Sequence, residues 1–173
     1  MAFSLIEKAI FIKAIMVIRK IERKDNVAAG KIVRSVLMEM GAPKEGTAYA
    51  DPNVDSLYET YEKERAVYFV VEKDGEILGG GGIQQLDNGE ETICELQKMY
   101  FLPQARGLGL GAKMIMLCLE KAKEFGFKQC YLETMPFMVD AQKLYKKTGF
   151  YNIEGSLGNT GHSYCSVWML KDL

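Results

Sequence analysis

Along the chain the spacing of apolar positions changes several times, and each change marks an element. In "MVIRKIERKD" a short apolar stretch gives way to charge, which reads as a first strand and a turn. "NVAAGKIVRSVLMEMG" shifts to spacings of three and four, predicting a helix over residues 26–40 that Gly41 and Pro43 end. "GTAYADPNVDSLYETYEKER" reads as a loop and then a helix opening near Pro52 or Asn53, with acids in its first turns. "AVYFVVEKDGEILGGGGIQQL" is a hairpin in which Asp74-Gly75 turns between two apolar strands. "ETICELQKMYFL" adds a strand, residues 109–125 the clearest helix, and "QCYLETM" another strand. "MVDAQKLYKKTG" is an amphipathic helix stopped by Gly149, and "SYCSVWMLKDL" a terminal strand. This order predicts one α/β domain of the mixed α+β kind, a twisted mixed sheet of six or seven strands with helices on both faces.

The N-terminal "LIEKAIFIKAIMVI" is apolar, but Glu7, Lys8 and Lys13 interrupt it. It lacks the unbroken core of a signal peptide and the roughly 20 apolar residues of a membrane span. Residues 1–15 are therefore expected to be a short added helix or to precede a natural start at Met16, with the domain occupying 16–173. Neither export nor a membrane partner is expected.

Composition narrows the function classes. At 48% hydrophobic and 26% charged, 173 residues suffice for a sizeable core. A net charge of -1 removes the positive field that accompanies nucleic-acid binding, so a small molecule is the expected partner. Cys94, Cys118, Cys130 and Cys165 form no CxxC pair and have a single histidine, His162, to help them. No metal site is expected from that set, and the cysteines read as reduced, mostly buried thiols of a cytoplasmic protein. His162 itself reads as a loop or surface residue.

The stretch "FLPQARGLGLGAKMIMLCLEKAKEFGF" carries the chemistry. Glycines at 107, 109 and 111 let the backbone turn sharply before a helix whose first N–H groups are unpaired, an arrangement that binds anions, most often phosphates. The nucleotide-triphosphate pattern fails, because Ala112, Lys113 and Met114 follow Gly111. A dinucleotide fingerprint is a closer rival: Gly107, Gly109 and Ala112 satisfy G-x-G-x-x-A, and Glu133 ends a later strand near where a ribose-binding acid would sit. Against it, Pro103 to Arg106 intervene after the strand, the strand carries Glu95, Gln97 and Lys98, and too little chain follows for the remaining strands and helices of such a domain.

Gln104-Ala105-Arg106-Gly107-Leu108-Gly109 matches the Q/R-x-x-G-x-G/A motif, and the chain resembles the GNAT superfamily of N-acetyltransferases. "ELQKMYFLPQARGLGLG" is similar to that family's fourth strand and pyrophosphate loop, and "DAQKLYKKTGFY" to its last helix, across about nine tenths of the chain. The resemblance implies a sheet splayed between its fourth and fifth strands and acetyl-CoA as co-substrate. Gln104, Arg106, Gly107, Leu108, Gly109, Leu110 and Gly111 would form the pyrophosphate cradle, and the backbone of Met99, Tyr100 and Phe101 would pair with the pantetheine arm. Arg106 would either add charge near a phosphate or remain a solvated side chain.

The same resemblance assigns Tyr145 as the general acid for the departing thiolate and Glu95 as the general base that takes the amine proton through water. Packing in the core is the competing role for Tyr145, and an ordinary paired carboxylate that for Glu95. Met138 departs from the family, which often has an asparagine there touching the cofactor arm. Dimers are common in the superfamily, implying a homodimer. The acceptor is expected to be a small-molecule or peptide amine. Acids at 51, 55 and 59 and tyrosines at 49, 58 and 61 near the cleft would favour a cationic one. Four glycines at 79 to 82 suggest that a backbone or the substrate comes close there, beside the acetyl group. Two readings of a different class stay open: a catalytically silent CoA-binding sensor or regulatory module, and a nucleotide-dependent oxidoreductase.

Overall fold

The computed structural model describes residues 15–173, so the expected extension at residues 1–15, apart from Ile15, lies outside the described residues. Within them the elements are β1 (Val17–Lys20), α1 (Asn26–Glu39), α2 (Leu57–Tyr61), β2 (Val67–Lys73), β3 (Glu76–Gln85), β4 (Ile93–Phe101), α3 (Leu110–Glu124), β5 (Gln129–Thr134), α4 (Val139–Lys147), β6 (Tyr151–Ile153) and β7 (Val167–Asp172). The strands form one seven-stranded sheet in the order β1-β2-β3-β4-β5-β7-β6. Only β4 and β5 run parallel; every other neighbouring pair is antiparallel.

Both faces are covered, as the alternation in β2 requires. Val67, Phe69 and Val71 turn to one side and join Met114, Ile115, Cys118 and Leu119 of α3 in the largest core cluster. Tyr68 and Val70 turn to the other and pack with Ala29 of α1 and Leu57 and Tyr61 of α2. Each large side chain sealed in these layers contributes about 1.5–3 kcal/mol of transfer free energy.

Two expectations shift. The helix predicted from Pro52 or Asn53 begins only at Leu57, because the preceding segment spends its groups elsewhere. Asp51 O and Asn53 O accept from the amides of Val54 and Ser56, closing turns rather than a helix. Tyr151–Ile153 forms a seventh strand on the sheet edge where no separate element had been read. Two of its three residues are exposed, so it has no apolar period to announce it.

The close backbone approach expected at the glycine run in β3 is present: a Cβ at Gly79, Gly80 or Gly82 would meet a neighbouring strand's carbonyl oxygen within 2.9 Å. A Cβ at Gly80 or Gly82 would meet the Tyr68 ring within 2.6 Å, one at Gly79 would meet Phe101, and one at Gly81 would meet Met99 and Met114. The space over Gly80 and Gly82 admits Tyr68, whose hydroxyl donates to Lys98 O at 2.8 Å.

That bond holds a β-bulge. Gly81 alone faces Lys98 and Met99, and Lys98 takes a left-handed φ of 49°, which costs a non-glycine residue about 1 kcal/mol or more. The bulge reverses the alternation of β4. Cys94 and Leu96 face α3 before it, Met99 and Phe101 after it, so Gln97 and Lys98 both turn toward the α1–α2 side.

Candidate active site

Two structural breaks meet at the carboxyl end of β4. The first is the end of its pairing with β5: Ile93, Cys94 and Glu95 face Gln129, Cys130 and Tyr131, and no pair follows. Beyond Glu95 the two strands splay, while β4 stays paired to β3 as far as Phe101. The backbone of Met99, Tyr100 and Phe101 thus has a free edge toward the opening.

The second break is the turn into α3. Gly107 and Gly109 have φ of 71° and 76°, and a Cβ at either would meet nothing within 4 Å, so their need for glycine is conformational. Gly109 caps α3 without any side-chain partner. Among the described residues, the amides of Gly107, Leu108, Gly109, Leu110, Gly111 and Ala112 donate to no recorded backbone acceptor outside the regular helix bonds. A fan of open N–H groups at the start of a 15-residue helix suits a polyphosphate, and the cradle is bare where the ligand's oxygens must approach.

Arg106 is engaged by the protein rather than left as a solvated side chain. Its amide donates to Pro103 O at 3.1 Å, its Nε to Phe101 O at 2.8 Å, and its two terminal nitrogens to the Glu39 carboxylate at 2.8 Å each. It straps the loop to the end of α1, with Glu39 holding the guanidinium pKa above its ordinary value. Gln104 is exposed beside it.

On the α1–α2 side of the opening lies a polar network that the sheet core encloses. Glu95 is only 3% exposed. Burial pushes its carboxyl up to about 7, partly offset by the Gln97 side-chain amide that donates to it and reinforced by nearby Glu133. Gln97 in turn accepts from Tyr61 at 2.7 Å and from Gln84 at 2.6 Å.

Glu133, past the last β4–β5 pair, accepts from the hydroxyls of Tyr131 and Thr160, each at 2.7 Å. His162 is not a surface residue: its side chain is 15% exposed, and its Nε2 lies 2.8 Å from Asp51 Oδ1. Burial works against the imidazolium, but Asp51 outweighs it and raises the His162 pKa. The other Asp51 oxygen takes Lys98 Nζ at 2.7 Å. Against the cost of burial, His162 and Lys98 hold the Asp51 carboxyl below its usual range.

Glu95, Glu133 and His162 bring two carboxylates and one imidazole nitrogen within 4.8 Å of one another. This set contains none of the cysteines and has the donor chemistry of a metal site.

Tyr145, on α4, is buried with its ring edge-on to Phe150 at 6.0 Å. Burial, with Cys165 near, pushes its hydroxyl up to about 12, so at neutral pH it holds its proton. Cys165 lies near Tyr145, Glu133, Glu95 and Asp51, and burial raises its thiol to about 12 as well. It is a filler rather than a thiolate. Cys94, Cys118 and Cys130 are buried free thiols. At the departure from the family pattern, Met138 Sδ takes the Thr134 hydroxyl at 3.6 Å.

The profile of the Acetyltransferase (GNAT) family matches residues 35–150. The chain belongs to the GNAT family of N-acetyltransferases. It is 48% identical over 158 residues to the uncharacterised N-acetyltransferase YjgM of Escherichia coli K12, spanning 91% of this chain and 95% of that one. Its fold superposes on a GNAT-family acetyltransferase from Staphylococcus aureus Mu50 with a TM-score of 0.80 at 20% identity, covering 92% and 99% of the two chains. On yncA of Salmonella typhimurium, solved with its cofactor acetyl-CoA, the TM-score is 0.74 at 18% identity, over 92% and 95%. The dinucleotide fingerprint is not needed to explain Gly107, Gly109 and Ala112, and Glu133 lies past the last β4–β5 pair, at the splay.

Of the residues named from sequence, the structure puts Glu95 and the glycine loop on the two sides of one opening, joins Asp51 and Tyr61 to the network around Glu95, and buries Tyr145 on α4 near Cys165. The other acids and aromatics of that segment lie elsewhere: Asp55 pairs with Arg34, Glu59 with Asn26 and Arg23, Tyr58 with Glu62, and Tyr49 stands near Arg34 and Lys44. Glu133, His162 and Gln84 were missed as site residues. The one local signal was a glutamate inside the apolar strand "QCYLETM".

Proposed function

We propose that the protein transfers the acetyl group of acetyl-CoA to a primary amine by direct attack within a ternary complex in the cytoplasm. The observation that carries this reading is the strand opening after Glu95, which has unpaired loop amides at one end and a buried carboxylate titrating near neutrality inside. Acetyl-CoA supplies a thioester carbonyl. The amides from Gly107 to Gly111 would hold its pyrophosphate, and the free edge of Met99 to Phe101 would align its arm, with one N–H there stabilising the developing oxyanion. Glu95, ionised, takes a proton from the acceptor ammonium through water. The amine lone pair forms the new C–N bond, and the C–S bond breaks with its electron pair going to sulfur. The Tyr145 hydroxyl gives its proton to the thiolate, and the second proton shed by the nitrogen as it becomes an amide restores that of Tyr145. The buried free thiols support a reducing compartment.

The test is calorimetric titration with acetyl-CoA followed by thiol release across an amine panel. Binding with amine-dependent release is expected. Binding without release from any amine would leave only a CoA-binding module, and no binding would overturn the loop assignment.

A further inference from the structure

Away from the opening, a second hollow lies between β1 and α3. Met16 and Ile18 form one wall and Leu110, Met116 and Leu117 the other, around a volume of about 400 Å³. Its floor is already core, since Met16, Ile18 and Leu117 pack on the cluster that α3 makes with β2. Its rim is not: Met116 is 58% exposed, and Ile15 and Val17 are 76% and 50% exposed. Among the described residues β1 also pairs with β2 alone, so its outer backbone edge is open beside the same hollow. An apolar hollow next to an unpaired strand edge is a surface that takes an occupant.

The chain itself delivers one to the mouth. Val17 faces Glu72 near the end of β2, and β2 runs in the direction of β4, both being antiparallel to β3. β1 therefore starts at the end of the sheet where β4 passes into the glycine loop and α3 begins. The residues before Met16 leave from beside Leu110, the first residue of α3.

Their pattern suits the hollow. Leu5, Ala9 and Ile12, with Ile6 and Ile10, recur at spacings of three and four, and Ser4, Glu7 and Lys8 fall on the opposite side. Eight helical residues span about 12 Å, and the wall from Leu110 to Leu117 spans about 10 Å. Lys13, Ala14 and Ile15 tether the segment to that wall at an effective concentration in about the millimolar range, which a separate partner would have to outcompete.

We propose that residues 5–12 dock in this hollow as an amphipathic helix of the same chain, covering Met116 and the outer edge of β1. The docked helix braces the first turn of α3, the helix whose start carries the loop amides.

Hydrogen–deuterium exchange on the full chain, without ligand, tests this. In the wild type the amides of residues 5–12 should exchange at least about tenfold more slowly than in a free peptide of residues 1–14. Met116→Asp, on the exposed rim, should return them to the peptide's rate, and so should Ile10→Asp from the other side of the contact. Slow exchange in β2, β3 and β4 reports that each variant stays folded. Ile10 precedes β1, so its variant decides the matter if Met116→Asp fails to fold.

Peptide-like exchange of residues 5–12 in the wild type would overturn the inference. Protection that survives either variant in a folded protein would overturn it too, because the segment would then pack elsewhere. Protection that fades on about hundredfold dilution, together with a falling sedimentation coefficient, would also overturn it and assign the hollow to a second copy of the chain.

Discussion

The glycine loop and the acidic network lie at one opening yet are made in opposite ways. The loop draws its groups from Gly107 to Ala112, six consecutive residues, and uses backbone amides alone. The network draws Asp51, Gln84, Glu95, Glu133, Thr160 and His162 from five separate stretches of chain and presents side-chain groups. Backbone recognition needs a local conformation, so a short motif specifies it. A side-chain pocket needs the whole fold, so it can differ between proteins that share the loop.

The sharpest way to break this contrast is to disable the chemistry without touching the cradle. Glu95→Gln and Tyr145→Phe should each lower kcat about 10²- to 10⁴-fold, the range for a positioned acid or base, with acetyl-CoA affinity unchanged. Steady-state kinetics beside calorimetry would show it. A parallel loss of affinity would mean that the two regions are one.

The converse change is Gly109→Val. A β-branched residue at φ of 76° is strained by about 1–3 kcal/mol, so acetyl-CoA should bind about 10- to 100-fold more weakly, and saturating cofactor should recover most of kcat.

The acidic region also predicts a pH limb absent from cofactor binding. With the Glu95 carboxyl raised to about 7, kcat/KM should climb about tenfold per pH unit below that value and level off above it, because only the ionised form accepts the proton. The limb should vanish in Glu95→Gln. The Tyr145 acid, at about 12, keeps its proton across the same range.

The smallest effect concerns the strap behind the loop. Arg106→Gln and Glu39→Gln should each weaken acetyl-CoA binding only about twofold, and the double variant no more than either, because partly exposed pairs contribute little and these two act as a unit. Additive losses would return Arg106 to direct phosphate contact.

How much could be read beforehand follows the same division. The helices over 26–40 and 109–125 and the hairpin at Asp74-Gly75 were legible because each carries its own period and punctuation. The loop was legible because three glycines before a helix have a conformational meaning. Glu95 and Tyr145 were singled out through the family motifs that flank them, and the structure adds that both are buried. His162 does lie in a loop as read, but its half-buried environment comes from Asp51, 111 residues away in sequence, and was not legible. The glycine run was read as a close approach of a backbone or the substrate, and the backbones of the neighbouring strands do come close. The Tyr68 ring that also fills the space was not legible, and that ring's hydroxyl supports the bulge that sends Lys98 to Asp51.

The most direct measurement pairs acetyl-CoA affinity and amine-dependent turnover in the same preparations of wild type, Gly109→Val and Glu95→Gln. The account predicts a crossed result: Gly109→Val loses affinity and regains turnover at high acetyl-CoA, while Glu95→Gln keeps affinity and loses turnover at every concentration. Equal losses of both quantities in both variants would contradict it.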